Sequence, residues 1–130
     1  MINIEIREER IRSYFDGWVY KNDATFPKIF AERAVYTDSH GAQYRGLSQI
    51  RRMFADRQQH GGVTKWELKG YVHVDAETFV KWYYEDAYDG VSSAFDGVSI
   101  AEFDGEGKIS RLREFRAEAA HTFPYGRDFA

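Results

Sequence analysis

The sequence contains no cysteine, and this excludes disulfides, thiol nucleophiles and thiolate metal sites. Its four histidines, His40, His60, His73 and His121, form no His-x-His or His-Glu-x-x-His pattern, so no metal site is expected. No Gly-x-Ser-x-Gly elbow occurs, and Gly105-Glu106-Gly107 lies between two expected strands, where it cannot serve as a phosphate cradle opening a helix. No cofactor is therefore expected. An excess of one charge is also missing: 18 basic and 21 acidic residues give a net charge of −3, which attracts neither nucleic acid nor an anionic membrane. No apolar run approaches membrane-spanning length, and the segment from Met1 to Arg10 is too charged for a signal peptide. These absences predict a cytoplasmic protein whose partners are small molecules or other proteins.

Aromatic residues are abundant. Ten Phe, nine Tyr and three Trp make up 17% of the 130 residues, more than a small core needs, so some are expected to line a cavity or cover a subunit interface. The length suits one domain with one core, assigned to residues 1–120, followed by a tail at 121–130 with no periodicity.

Ile11, Tyr14, Phe15, Trp18 and Val19 recur at the spacing of a helix with one buried face, predicted over Ile4 to Tyr20. Asp23 can cap a short second helix that contains Pro27 and ends near Ala31. A strand over Ala34 to Asp38, a turn at Ser39-His40-Gly41 and a brief return at Gln43-Tyr44-Arg45 follow. The third helix after Gly46 buries Leu47, Ile50, Met53 and Phe54 and stops at Gly61-Gly62. Beyond it the period changes to two. Four strands are predicted, from Val63 to Val74, Thr78 to Tyr88, Val91 to Phe103 and Ile109 to Glu118, with a tight hairpin at Asp89-Gly90. Helices first and strands after indicate an α+β fold whose sheet is a meander, since no helical crossovers remain for parallel strands.

Phe30 to Gly41, then Tyr44-Arg45-Gly46 with Ile50, and finally Phe103 to Ile109 before Arg113-Glu114-Phe115 resemble the nuclear transport factor two-like superfamily of steroid isomerases and SnoaL-like cyclases. The resemblance spans about Ile11 to Arg116. It implies three N-terminal helices packed in the concave face of a curved, mainly antiparallel sheet, a cystatin-like cone. Asp38 falls where the isomerases hold a general-base aspartate, and Tyr14 where they hold an oxyanion-hole tyrosine. Ser99 and Phe54 stand where they have a second acid and a further pocket tyrosine. The resemblance thus implies a related chemistry or ligand and not steroid isomerisation itself.

Each candidate has a plainer reading beside the functional one. Asp38 can act as a base at the mouth of an aromatic cavity, or accept backbone N–H bonds in an Asx turn. Tyr14 can stabilise an oxyanion, or be a packed core ring. His40 can shuttle a proton or be an exposed loop residue. Glu114 and Arg116 share strand parity with Leu112, and the resemblance turns that parity, with Trp82, Tyr84, Asp86, Ser99 and Ala101, toward the cavity. There they would be ligand anchors, with Glu114 a possible second acid, or else an ion pair on the sheet. Trp18 can be a stacking wall or core. Arg51, Arg52 and Arg57 read as the wet face of the third helix.

The expected function is proton abstraction by Asp38 from a hydrophobic carbonyl compound, with Tyr14 and His40 assisting. The substrate would lie against Trp18, Phe54, Trp82, Tyr84, Ser99, Glu114 and Arg116. The alternative is a non-catalytic module holding a small hydrophobic molecule or a protein segment. Large residues on both sheet faces further predict a homodimer through the outer face.

Overall fold

The computed structural model describes residues 3–129. Met1, Ile2 and Ala130, the outermost residues of the expected domain and tail, lie outside them. Asn3 starts the first helix, α1 (Ile4–Val19), by accepting the N–H of Glu5 at 2.8 Å on its side-chain oxygen. Ile11, Tyr14, Phe15 and Trp18 are buried, as their spacing requires. Arg7 is buried as well. Its guanidinium donates to the backbone oxygens of Asp75 and Glu77 and packs 5.5 Å from the Phe103 ring centre, clamping the start of α1 to a distant hairpin.

The second helix, α2 (Phe26–Ile29), is a single turn with Pro27 at its start. The chain is already extended at Phe30, so β1 spans Phe30–Thr37 and begins four residues earlier than the apolar pattern suggests. The extra length is held by pairing with β6 (Ile109–Glu118), Phe30 opposite Ile109. Then come β2 (Gln43–Arg45), α3 (Leu47–Gln58), β3 (Gly61–Val74), β4 (Glu77–Tyr88) and β5 (Val91–Phe103). The six strands form one curved, unclosed sheet in the order β2-β1-β6-β5-β4-β3. It is mainly antiparallel and not a pure meander: β1 and β6 run parallel, the crossover between them being supplied by everything from β2 to β5.

The predicted hairpin stands at Asp89-Gly90, both with positive φ of 51° and 79°, the geometry that favours this pair in a two-residue turn. Strict alternation along β3 fails. Register shifts at Val63/Lys65 and Leu68/Gly70 insert extra residues, and the second flips the phase, so that Tyr71 and His73 turn inward while Val72 and Val74 are left exposed. On β4 to β6 the alternation holds: Trp82, Tyr84, Asp86, Ser99, Ala101, Leu112 and Glu114 are all buried on the inner face. Residues after β6 are irregular and exposed, with Phe123, Tyr125 and Phe129 largely in solvent.

Gly97 on β5 fixes how one wall of the core is built. A Cβ there would lie 2.3 Å from the Trp82 ring and 2.5 Å from the Phe115 carbonyl oxygen, so the absent side chain is what lets the indole lie across the neighbouring strand. Gly97→Ala is expected to cost about 1–3 kcal/mol through overpacking and to change Trp fluorescence, both read in one denaturant titration. Unaltered stability and emission would show that the indole moves aside freely.

Candidate functional site

A cavity of about 50 Å³ opens between α1, α3 and the inner face of the sheet. One part of its wall is aromatic: Trp18, Tyr36, Trp66, Trp82, Tyr84 and Tyr88. The rest is largely polar, from Asp38, Ser39 and His40 after β1, Arg57 at the end of α3, and Glu114 and Arg116 on β6. The volume lies far below the roughly 300 Å³ or more that encloses a drug-sized molecule, so a steroid-sized planar ligand does not fit inside as the cavity stands.

Glu114 occupies the inner wall and is 7% exposed. The Tyr36 hydroxyl donates to its Oε1, and the Ser99 hydroxyl donates to Oε2 at 3.0 Å. Ser99 Oγ in turn accepts the Trp82 Nε1–H at 2.9 Å. The carboxyl is thus held by a short chain across three strands. Burial pushes its pKa above the ordinary carboxylate range, against the opposing pull of the two hydroxyl donors and of Arg57. Burial and the nearby Glu114 also raise Tyr36 well above the usual phenol range. Beside them the Tyr84 hydroxyl donates to Asp86 Oδ2 at 2.6 Å.

Asp38 stands nearer the mouth. Its Oδ1 accepts the backbone N–H groups of His40 at 2.9 Å and Ala42 at 3.0 Å, the Asx turn that its sequence context allowed. Its Oδ2 faces Arg57 at 3.3 Å. A carboxylate offers about four lone-pair positions, and three donors leave one of them, on Oδ2, free. His40 is exposed, and its Nε2 accepts a hydrogen bond of 2.7 Å from Arg116. Arg116 also lies 3.9 Å from the Phe95 ring centre.

Of the residues singled out from sequence, Asp38, His40, Trp18, Trp82, Tyr84, Glu114 and Arg116 share this cavity. Three stand behind its wall. Tyr14 is packed among Phe15, Phe26, Phe30 and Trp66, with ring centres 5.4 to 6.0 Å away and no hydrogen-bond partner for its hydroxyl among the described residues. Phe54 packs 4.7 Å from Trp18 and 5.2 Å from Phe26, and Ser99 supports Glu114 from behind. Burial drives the Tyr14 phenol well above its usual range.

Sequence reasoning missed Tyr36 and Arg57. Tyr36 shares strand parity with Asp38. Arg57 follows Ile50, Met53 and Phe54 at helix spacing and belongs to the inner stripe of α3, not to its wet face, where Arg51 pairs with Asp23 at 2.9 Å. Among the described residues no cluster of His, Asp or Glu side chains could hold a metal ion, and no helix is long and apolar enough to cross a membrane.

The cone of helices in a curved sheet is one shared with solved structures. A protein with a ketosteroid isomerase-like fold from Catenulispora acidiphila, in complex with trimethylamine, matches at TM-score 0.73 and 18% identity over 82% of this chain and 84% of that one. An LEH-like epoxide hydrolase from M. tuberculosis matches at 0.77 and 12% identity over 87% and 84%. A protein of unknown function with a cystatin-like fold from Methylobium petroleophilum matches at 0.73 and 24% identity over 97% and 84%. A search of curated proteins found no significant match. The model of the SnoaL-like domain matches residues 11–112, and the chain belongs to that family, within the nuclear transport factor two-like superfamily.

Proposed function

We propose that this protein is a cofactor-independent acid–base catalyst acting on a small carbonyl compound. The observation that carries the reading is a pair of carboxyl groups opening on one cavity in contrasting surroundings. Asp38 is held by backbone donors and Arg57, as suits an anion, while Glu114 is buried and its proton is favoured. Groups separated in this way divide the roles of base and acid. The free lone pair of Asp38 takes a proton from the carbon beside the carbonyl. The C–H electron pair becomes a carbon–carbon double bond, and the carbonyl oxygen gains the Glu114 proton to give an enol. Asp38 then returns a proton to the same or another carbon while the enol O–H proton goes back to Glu114, which restores the carbonyl and both acids and completes an exchange or an isomerisation.

Tyr36 supports Glu114 as a hydrogen-bond donor, and Tyr14 contributes through packing. The small cavity favours a compact substrate, and the trimethylamine complex of the Catenulispora protein supports that scale. The test is uptake of deuterium from heavy water by a panel of small ketones, aldehydes and oxo acids, followed by NMR. Catalysed exchange that vanishes on heating the protein is expected. No exchange across the panel would remove the acid–base reading. One observation favours a non-catalytic binding module instead: three donors already engage Asp38, leaving a single lone-pair position for a substrate.

We also propose a homodimer through the outer sheet face. The register sets Val72, Phe79 and Ile100 in one row and Val98 and Phe115 in the next, and Val72 and Phe115 are 55% and 51% exposed. Light scattering should give about twice the 15.2 kDa chain mass at micromolar concentration. A mass equal to one chain would remove the interface.

A further inference from the structure

Of the charged side chains on the cavity wall, both carboxylates are already engaged by donors. Asp38 is engaged by two backbone N–H groups and Arg57, and Glu114 by two hydroxyls. Arg116 differs from both. Among the described residues it forms no ion pair, its side-chain hydrogen bond goes to His40 Nε2, and its guanidinium carbon sits over Phe95, 3.9 Å from the ring centre. Arg donates and never accepts, so His40 is the acceptor and most of the guanidinium fork stays open. A fork held by an aromatic ring is preorganised for a planar acid group.

Charge points the same way. Among the residues lining the cavity, Asp38 and Arg57 pair with each other, which leaves Arg116 as a positive charge without an ion-pair partner in a chain of net charge −3. Glu114, the other acid on the wall, already accepts from two hydroxyls, and burial raises its pKa, which weakens its hold on that charge.

We propose that the site takes a compact monocarboxylate bearing the reacting carbonyl, with Arg116 gripping the carboxylate at the mouth and the carbonyl turned toward Glu114. The role of the carbonyl rests on the acid–base reading above; the grip on the carboxylate rests on Arg116.

The test titrates the isotope-labelled protein, followed by NMR, with three probes: levulinate, the neutral methyl propyl ketone and the cation tetramethylammonium. Levulinate should bind at least about tenfold more tightly than the ketone, as expected of a charge-assisted fork, and should shift the Arg116 side-chain resonance. Arg116→Gln should erase that preference, and Arg116→Lys, which keeps the charge without the fork, should retain part of it. Equal affinity for the ketone, tighter binding of tetramethylammonium, no levulinate binding at millimolar concentration, or an unchanged preference in Arg116→Gln would overturn the proposal. Deuterium uptake separates this from the acid–base reading. Tight levulinate binding without uptake keeps the carboxylate grip and removes the catalysis. Uptake by the ketone with no levulinate preference does the reverse.

Discussion

Glu114→Gln is expected to slow deuterium exchange on a responsive carbonyl compound by about 10²- to 10⁴-fold, the usual contribution of a positioned acid. Gln keeps the volume; its oxygen can still accept from the Tyr36 hydroxyl, and its NH2 can donate to Ser99 Oγ, which has a second lone pair beside the one that takes the Trp82 N–H, so the contacts stay in place with the Ser99 hydroxyl turned. The variant differs in having no acidic proton. Stability carries a second signature. Because burial raises the Glu114 pKa, the fold holds this proton more tightly than the unfolded chain, whose Glu titrates near about 4.3. Above that pH the folded chain keeps a proton that the unfolded chain has released, and stability falls with rising pH until Glu114 ionises in the fold too. The slope from this one group is at most about 1.4 kcal/mol per pH unit. The stability of Glu114→Gln relative to wild type should therefore grow as pH climbs from about 4.3 and then level off. Denaturant titrations of both proteins across that range measure the difference, which cancels the other carboxylates. A flat difference would mean that Glu114 titrates alike in both states.

Asp38→Asn should also lower exchange by about 10²- to 10⁴-fold, through loss of the base instead of the acid. The Asn carbonyl can still accept from His40 and Ala42, so the turn after β1 should survive. Losing the charge opposite Arg57 should cost no more than about 1 kcal/mol, because the arginine side chain is 39% exposed and solvent screens the pair. A large activity loss with a small change in melting temperature is the expected result. If activity persists and stability alone falls, Asp38 is a turn residue and the catalytic reading loses its base.

What the sequence displays and what it conceals divide along physical lines. The buried stripe of α1 and the Asp89-Gly90 hairpin follow from local periodicity and turn chemistry, the inward parity of β4 to β6 came from the family resemblance, and all stand in the structure. The bulges of β3 do not announce themselves, because nothing in the residue alternation marks where an extra residue enters. Val72 and Val74 share the sequence parity of Trp66 and Leu68 and yet lie outside. The parallel β1–β6 pair joins segments distant in sequence, which no local pattern encodes. At the site, Asp38, Glu114 and Arg116 were picked out through the family resemblance, since strand position alone gave their shared parity but not which face it turns to the cavity. Arg57 was concealed by its charge, although its spacing from Ile50, Met53 and Phe54 placed it on the inner stripe of α3. The position of Tyr14 could not be read in advance, because an inward tyrosine on an amphipathic helix meets either a cavity or, as here, a shell of other rings.

The most direct test is the titration of the Glu114 side-chain carboxyl by carbon NMR, with Glu114→Gln supplying the assignment. A protein that works through a buried proton donor should show a Glu114 midpoint clearly above the ordinary value of about 4.3, because desolvation outweighs its two hydroxyl donors. A midpoint at or below that value would show that Tyr36, Ser99 and Arg57 hold the anion, leaving the cavity with no proton to give.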